Sequence, residues 1–300
     1  MSNKTLIAFD YAIKYLLKDK GDYDIVEGFI SALLASEGYG PVKITALLES
    51  ESNKETKGLK KSIADLIVQD EKGQNYIVEI ERQYTNSFIH KACFNTSRLI
   101  VDSISASEDY STIKKVFHIS LLYFNWGNMT KPLYHGKTII KEIDTQHPLE
   151  LHIGDQGGRI YDLVSILPEF FFISVPLFDD VIKQEIDEWL YLMKYSEIKK
   201  DFKSPYMKKV AERLSILKMD AKEKDAYYTY LKETMSQRDT MVAAEEKGKA
   251  EGKAEGVEEG LEKGIKLTAT NMLKQKLADS LIMQVTGLSK DELDKLKNKI

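Results

Sequence analysis

The sequence predicts a mixed α and β fold whose core is followed by a helical C-terminal extension. Two observations predict it. Residues 62–83 hold two β-branched segments joined by a short turn, and apolar residues recur at helical spacing on either side of them. Two predicted helices are followed by three strands, a helix and a fourth strand up to residue 124, and helical patterns dominate from residue 179. With 300 residues, 43% hydrophobic and 30% charged, the chain has a globular composition.

Two helices and a strand are predicted ahead of the turn. Apolar residues recur at helical spacing in residues 6–18 and in residues 24–36, and residues 38–41 end the second helix. Residues 42–50 have the pattern of a first strand, and residues 51–61 that of a polar loop rich in Lys and Glu.

The stretch 62–83 predicts a β-hairpin. Its turn is expected at residues 71–73, where Gly73 supplies the positive φ that such a turn requires. In the resulting register three pairs of residues face each other: Asp70 and Gln74, Leu66 and Val78, and Asp65 and Glu79.

One face of this hairpin is acidic. Side chains alternate across a strand, so Asp65, Glu79 and Glu81 share a face that also carries isoleucines. Like charges placed opposite each other destabilise a strand pair. A divalent cation would cancel the repulsion, and two carboxylates suit Mg²⁺. The pattern alone leaves open a second interpretation, a solvent-facing edge whose carboxylates point into water.

Beyond the hairpin, residues 86–106 predict a helix and residues 114–124 a strand. Residues 125–180 predict a less regular extension with core aromatic residues, and residues 179–235 predict helices. The histidines show no zinc-ligand spacing, so no zinc site is expected.

The C-terminal tail begins with a glycine repeat. Glycine recurs every fourth residue from Gly248 to Gly264, with Lys and Glu between, which predicts a marginal helix or a flexible charged linker over residues 241–266. Four-residue steps place the glycines on one stripe of a helix. Such a stripe would let two helices approach closely, so we expect a homo-oligomer that forms through the tail.

Residues 267–300 predict a helical hairpin that resembles a helix-turn-helix. Ser289 and Glu292 form an S-x-x-E capping box that opens the last helix. That helix begins with Asp291, Glu292 and Asp294, whose sign is wrong for a DNA phosphate. Contact with a protein and contact with DNA therefore both remain open for this hairpin.

Composition limits the location and the partners. The net charge of −4 provides no global basic field, so contact with DNA must use a local patch. The single Cys93 excludes an internal disulfide and suits a reducing compartment. The N-terminus lacks a signal-peptide pattern. Charges and prolines interrupt the most apolar stretch, residues 161–178, which predicts a core strand and turn. We therefore expect a cytoplasmic protein without a membrane span.

The acids of the hairpin also resemble a known family. The pattern D-x(13)-E-x-E, with its glutamates in I-V-E-I-E, resembles the D…(D/E)-x-K core of the PD-(D/E)XK nucleases. More narrowly, the chain resembles the recombination-promoting nuclease (Rpn) branch, also described as PD-(D/E)XK nuclease family transposases. The resemblance covers roughly residues 5–240. Its further motifs are F-D-Y-A-I-K-Y-L-L near the start, L-L-E-S-E-S-N, K-K-V-F-H-I-S-L-L-Y-F, Y-H-G-K-T and D-E-W-L-Y-L-M-K.

The resemblance implies a domain organisation. A restriction-endonuclease-like α/β core would occupy residues 1–155, and a mixed, then helical, extension would occupy residues 156–240. The glycine repeat in residues 241–266 and the helical hairpin in residues 267–300 would follow.

The resemblance further implies a metal-dependent DNA endonuclease linked to recombination or to mobile-element or phage DNA. Asp65 and Glu79 would hold Mg²⁺ or Mn²⁺ together with the backbone carbonyl of Ile80, and no small-molecule cofactor is expected. The superfamily usually has Lys or Gln where this chain has Glu81. A carboxylate there cannot supply a positive charge, but it could act as a general base.

Other charged residues are weaker candidates. Asp10 and Glu27 would approach the metal by analogy with the family, whereas their own sequence context favours acids on a solvated helix surface. Basic residues near the hairpin would contact DNA phosphates, although the four lysines before it equally suit a solvated loop. These basic candidates are Lys54, Lys57, Lys60, Lys61, Arg82, Lys91 and Arg98.

Two other functions remain open at this point. The first is a catalytically weakened nuclease fold that binds DNA or a protein partner. Glu81, in place of the usual Lys or Gln, favours this alternative. The second is transposition, for which the spacing of the Asp and Glu residues gives no sign of a strand-transfer enzyme.

Overall fold

The computed structural model describes most of the chain: residues 6–13, 23–48, 65–105, 107–149, 152–154, 160–162, 166–216 and 219–298. The chain divides into two compact units, Met1–Tyr227 and Tyr228–Ile300. The mixed α/β class that the sequence predicts is confirmed, with a sheet in the first unit and helices in the second.

A six-stranded mixed sheet forms the centre of the first unit. Its strands, in chain order, are β1 (Ile44–Leu48), β2 (Leu66–Asp70), β3 (Asn75–Glu81), β4 (Val116–Leu122), β5 (Leu133–Gly136) and β8 (Glu169–Ser174); β6 (His152–Gly154) and β7 (Ile160–Asp162) form a separate pair. The order across the sheet is β1-β2-β3-β4-β8-β5. The three central strands β3, β4 and β8 are parallel, and their neighbours on both sides run antiparallel.

The predicted hairpin forms with the predicted register. Leu66 lies opposite Val78, Asp70 donates its backbone N–H to the Gln74 carbonyl, and Gly73 adopts φ of 78°. The alternation of β-branched residues and the single glycine define this register locally, because a slip of one residue would turn every side chain to the other face.

Helices cover both faces of this sheet. The first unit contains α1 (Phe9–Tyr11), α2 (Asp24–Ala35), α3 (Phe88–Asp102), α4 (Glu185–Tyr195), α5 (Met207–Arg213) and the start of α6 (Ala221–Lys274). Edge-to-face contacts join Phe9 to Phe29 and to Trp189, at 5.5 and 5.8 Å between ring centroids, and link α1, α2 and α4. On the other face, Leu99 of α3 packs on Ile67 and Ile77. The acidic face of the hairpin is therefore the face that α3 covers.

The sequence did not predict that β8 lies inside the sheet. Residues 125–180 predict a less regular extension, with a core strand and turn in residues 161–178; the strand is β8, which pairs with β4 on one side and with β5 on the other. The domain boundary predicted at residue 155 therefore falls within the sheet, which continues to Ser174. The strand is rich in Phe because it is buried between two neighbours, and a short apolar run alone does not distinguish such a strand from other core segments.

A buried cluster of charged residues joins β8 to its neighbours. The Glu169 carboxylate accepts hydrogen bonds from Lys115 at 2.5 Å, from the Tyr39 hydroxyl at 2.7 Å and from His135 Nε2 at 2.7 Å. The other nitrogen of His135 lies 2.8 Å from Glu37. Burial raises the pKa of Glu169, but these donors, led by Lys115, lower it by a larger amount. The net pKa of Glu169 therefore lies below its ordinary value.

The tail is helical. The glycine repeat lies within the continuous helix α6, and residues 235–264 are exposed along their whole length. In the second unit, α7 (Asp279–Thr286) and α8 (Lys290–Lys297) follow. Ala269 of α6, Ile282 of α7 and Leu293 of α8 form a buried core between the three helices. As predicted, a glycine turn separates these helices and the capping box of Ser289 and Glu292 opens α8.

Candidate active site

Glu79 is the central acid of the candidate site. It lies in β3, paired with β4, and is 0% exposed. The Asn95 amide of α3 donates a hydrogen bond to Glu79 Oε1. The second oxygen, Oε2, lies 3.5 Å from His118 Nε2 of β4. Both partners come from elements that pack on β3, so the side chain is held from two directions.

Three buried polar atoms collect on this face of the parallel strands. They are Glu79 Oε2, His118 Nε2 and Ser120 Oγ, and none forms a hydrogen bond of good geometry among the residues that the structure describes, although the first two lie 3.5 Å apart. Ser120 pairs with Glu79 and His118 with Ile77 in the sheet register. Buried polar groups almost always have partners, and an orphaned carboxylate oxygen is a ligand that Mg²⁺ accepts. The donor set at Glu79 therefore fits a divalent cation.

Asp65 lies at the same end of β3. Its Oδ2 accepts a hydrogen bond of 2.7 Å from the backbone N–H of Ile80. The N–H and C=O of one residue point to the same side of a strand, so the Ile80 carbonyl also faces the side on which Asp65 lies. The structure thus places the Asp65 carboxylate against the backbone of Ile80, the residue that follows Glu79 in β3.

Glu81 is in contact with a cation. Lys91, in the first turns of α3, places its Nζ 2.7 Å from Glu81 Oε1 and 3.8 Å from Glu79 Oε2. The three acids and this lysine form one electrostatic group. Burial lowers the pKa of Lys91, but Glu79, Glu81 and Asp65 raise it, and the net pKa lies above its ordinary value.

The charge state of Glu79 follows from the same neighbours. Burial raises its pKa, but His118 lowers it, and Lys91 and Asn95 lower it further. The net pKa lies below the ordinary value of a glutamate, so the buried carboxyl is ionised at neutral pH.

Two acids proposed as weaker metal candidates are not surface residues. Asp10 is 1% exposed and forms an ion pair with Arg82, whose guanidinium also lies 5.1 Å from the centre of the Tyr123 ring. Glu27 is also buried, and its Oε2 accepts the Ile44 backbone N–H at 2.9 Å. The expectation of solvated helix acids was wrong because the helical pattern does not reveal which neighbours pack on it. Each carboxylate has a structural partner in place.

The predicted DNA-binding residues fall in different places. Arg98 pairs with Asp102 on the surface of α3 at 2.9 Å, and Arg82 belongs to the ion pair with Asp10. Of these cations, Lys91 contacts the acids of β3. The loop lysines Lys54, Lys57, Lys60 and Lys61 lie outside the described residues.

His118 is the residue that the sequence interpretation missed. A polar residue in the middle of the strongly apolar run V-F-H-I-S-L-L was the available signal. Its partner strand, and therefore its contact with Glu79, could not be read from the sequence because the β3–β4 pairing is parallel and nonlocal.

Among the described residues, neither a complete metal-binding cluster nor a membrane-spanning helix is present. They contain no cluster of three or more His, Cys, Asp or Glu residues that could hold a metal ion by itself. None of the helices in the described ranges has the length and apolar run that a membrane crossing requires. Mg²⁺ commonly uses one or two carboxylates together with substrate phosphates, so the absence of a full protein cage does not conflict with the fit at Glu79.

Comparisons with known proteins match two family models to the chain. A family model described as PD-(D/E)XK nuclease family transposase matches residues 7–244. A second, described as Rpn/YhgA-like nuclease family, C-terminal HTH domain, matches residues 269–298, which span α7 and α8. Searches of the curated proteins and of the solved structures give no significant match.

Proposed function

The chain belongs to the PD-(D/E)XK nuclease family transposases, and from this premise we propose that it is a metal-dependent endonuclease that hydrolyses phosphodiester bonds in DNA. The observation that carries the proposal is the buried, ionised Glu79, whose Oε2 has no hydrogen-bond partner in the described part of the chain. Buried titratable groups whose pKa is shifted by specific charged neighbours concentrate at functional sites.

We assign the metal to Asp65, Glu79 and the backbone carbonyl of Ile80. A bound Mg²⁺ or Mn²⁺ would supply a Lewis acid that offsets charge on the phosphate and makes a water more acidic. Asn95 and His118 hold the Glu79 carboxylate in place, and Asp65 is held by its hydrogen bond to the Ile80 N–H. In the reaction, water oxygen bonds to phosphorus and one ester P–O bond breaks. The water gives up a proton and the leaving alkoxide takes one up.

DNA as the substrate is supported by the second unit. The helix-turn-helix family that matches residues 269–298 suggests DNA binding by this unit. The acidic first turn of α8, with Asp291 and Glu292, is unsuited to face a phosphate. We therefore expect DNA to contact other surfaces of this unit.

A specific observation favours one alternative. Glu81 stands where the superfamily usually has Lys or Gln, which supports a weakened nuclease that binds DNA or a protein partner. Cleavage of supercoiled plasmid with Mg²⁺, Mn²⁺ or EDTA decides between the two. We expect metal-dependent nicking by the wild type and its loss in Asp65→Ala and Glu79→Ala. Absence of cleavage with either metal, alongside measurable DNA binding, would establish the alternative.

Two further variants sharpen this experiment. Glu188→Gln is a matched control, because Glu188 is also buried but accepts the backbone N–H groups of Lys203 and Ser204 in the first unit. It should cleave like the wild type. Glu81→Gln tests whether this carboxylate takes part in the reaction: a large loss of cleavage would show that it does, either as a general base or through its contact with Lys91, and unchanged cleavage would make Glu81 a tolerated departure from the family pattern.

A further inference from the structure

In the ion pair between Glu81 and Lys91, a helix residue brings a positive charge to the acids of β3. Glu81 occupies the β3 position at which the superfamily usually has Lys or Gln, and it is followed along the chain by Arg82, which pairs with Asp10 instead. Lys91 comes from a different element, α3, and brings its ammonium to 2.7 Å from Glu81. The site therefore has a cation next to its acids although β3 does not provide it.

The position of Lys91 is well defined by α3. Its backbone N–H donates to the Ser87 carbonyl in the first turn, and Asn95, one turn further along, donates to Glu79. Residues four apart lie on the same face of a helix, so Lys91 and Asn95 both point to β3. The same packing that holds Glu79 therefore sets the distance of the lysine from Glu79 and Glu81.

The exposure of the lysine differs from that of the acids. Its side chain is 46% exposed, whereas Glu79 is 0% exposed and the side chain of Glu81 is 13% exposed. An ammonium has three N–H donors, and the contact with Glu81 uses one. A DNA phosphate that approaches from solvent would thus meet the ammonium beside the buried acids.

We propose, on the basis of the nuclease function proposed above, that Lys91 is the catalytic cation of this site and that Glu81 orients it. Lys91 contacts a non-bridging oxygen of the scissile phosphate and stabilises the negative charge that increases there in the transition state. Glu81 is a positioning residue that accepts one N–H of the ammonium. The pair replaces the single lysine that the superfamily usually carries on β3.

A charge-relocation experiment tests this assignment. Single-turnover cleavage of a labelled DNA duplex at saturating Mg²⁺ is measured for wild type, Lys91→Ala, Lys91→Arg and the double variant Lys91→Ala/Glu81→Lys. We expect Lys91→Ala to be about 100-fold slower. Lys91→Arg keeps the charge and should lose less, and the double variant, which returns a lysine to β3, should recover at least about 10-fold of the loss.

Two controls accompany these rates. Lys209→Ala removes another half-exposed lysine that is ion-paired with an acid, Asp24, and should cleave at the wild-type rate. Binding of the same duplex in Ca²⁺ over a range of salt gives a readout without cleavage. A lost phosphate contact should reduce the salt slope of Lys91→Ala by about one.

The outcomes separate this inference from the nuclease proposal. If the wild type cleaves and Lys91→Ala cleaves within about threefold of it, or the double variant is no faster than Lys91→Ala, Lys91 is not the catalytic cation. Undiminished cleavage together with tighter Mg²⁺ binding would instead make Lys91 a competitor of the metal. A wild type without cleavage would refute the nuclease function itself, and a catalytic Lys91 with it.

Discussion

His118 Nδ1 lies 2.9 Å from the Thr96 hydroxyl oxygen, and the partners of that hydroxyl place a proton on Nδ1. The one hydroxyl proton of Thr96 is donated to the Ala92 carbonyl at 2.8 Å. Thr96 Oγ1 must therefore accept from His118, so Nδ1 carries a proton, and the other ring nitrogen, Nε2, lies 3.5 Å from Glu79 Oε2. A threonine on α3 thus orients a histidine on β4 that in turn faces the central acid of β3.

Removal of that hydroxyl should cost stability. Thr96→Val leaves the buried Nδ1–H of His118 without its acceptor, which is expected to lower the free energy of unfolding by about 1–3 kcal/mol. Both tryptophans, Trp126 and Trp189, lie in the first unit, so urea unfolding followed by their fluorescence reports on this unit. Thr112→Val, at an exposed hydroxyl, is the control and should change stability by less than about 0.5 kcal/mol. Equal effects of the two variants would contradict the proposed acceptor role.

The ion pair between Asp10 and Arg82 should be structurally important. Arg82→Ala leaves the buried Asp10 carboxylate without its guanidinium, and a loss of about 3 kcal/mol is expected in the same unfolding experiment. Asp10→Asn in the Arg82→Ala background removes the buried negative charge and should restore part of the loss. Arg98→Ala, which breaks an exposed pair with Asp102, should cost less than about 1 kcal/mol. A double variant less stable than Arg82→Ala would show that the charge of Asp10 is satisfied by other groups.

The Glu169 cluster predicts a loss of stability in acid. The folded pKa of Glu169 lies below the ordinary value of 4.5, so the stabilisation by its ionised form is complete above about pH 4.5 and is lost as the pH falls through the folded value. One such group contributes at most about 1.4 kcal/mol per pH unit. Glu169→Gln should be less stable at pH 7 and should show a shallower decline below pH 4.5. If the free energy of unfolding declined equally with falling pH in the wild type and in Glu169→Gln, Glu169 would not be a cause of the loss of stability in acid.

The glycine repeat of α6 gives a prediction about both stability and assembly. Apart from the backbone of the same helix turns and the adjacent residues, no described atom lies within 4 Å of a Cβ added at Gly252 or Gly256, and alanine favours a helix over glycine by about 1 kcal/mol per residue. Gly252→Ala/Gly256→Ala should therefore raise the thermal stability of the helix, as followed by circular dichroism. If the stripe mediates the proposed homo-oligomer, sedimentation velocity should also show weaker self-association. Association at the wild-type strength would exclude these two glycines from the contact.

The sequence predicted the part of the candidate site that lies within the hairpin. The hairpin register that brings Asp65 towards β3 follows from alternation and from Gly73, which act within about twenty residues. The partners of Glu79 could not be predicted, because Asn95 reaches it through the docking of α3 and His118 through parallel pairing of β4. The same limit applies to β8, whose place between two strands depends on pairing rather than on its own pattern. Buried acids such as Asp10 were misjudged for this reason as well.

The parallel pairing of β3 with β4 sets an order of events during synthesis. A chain leaves the ribosome from its N-terminus, so the hairpin that carries Asp65 and Glu79 emerges before α3 and before the histidine of β4. β8, which pairs with β4 in the sheet, follows only after a further fifty or so residues have been translated. A ribosome-bound fragment that ends before β4 thus displays the acids without His118. The proposed nuclease centre is therefore complete only on a chain that has been made well past its acidic residues.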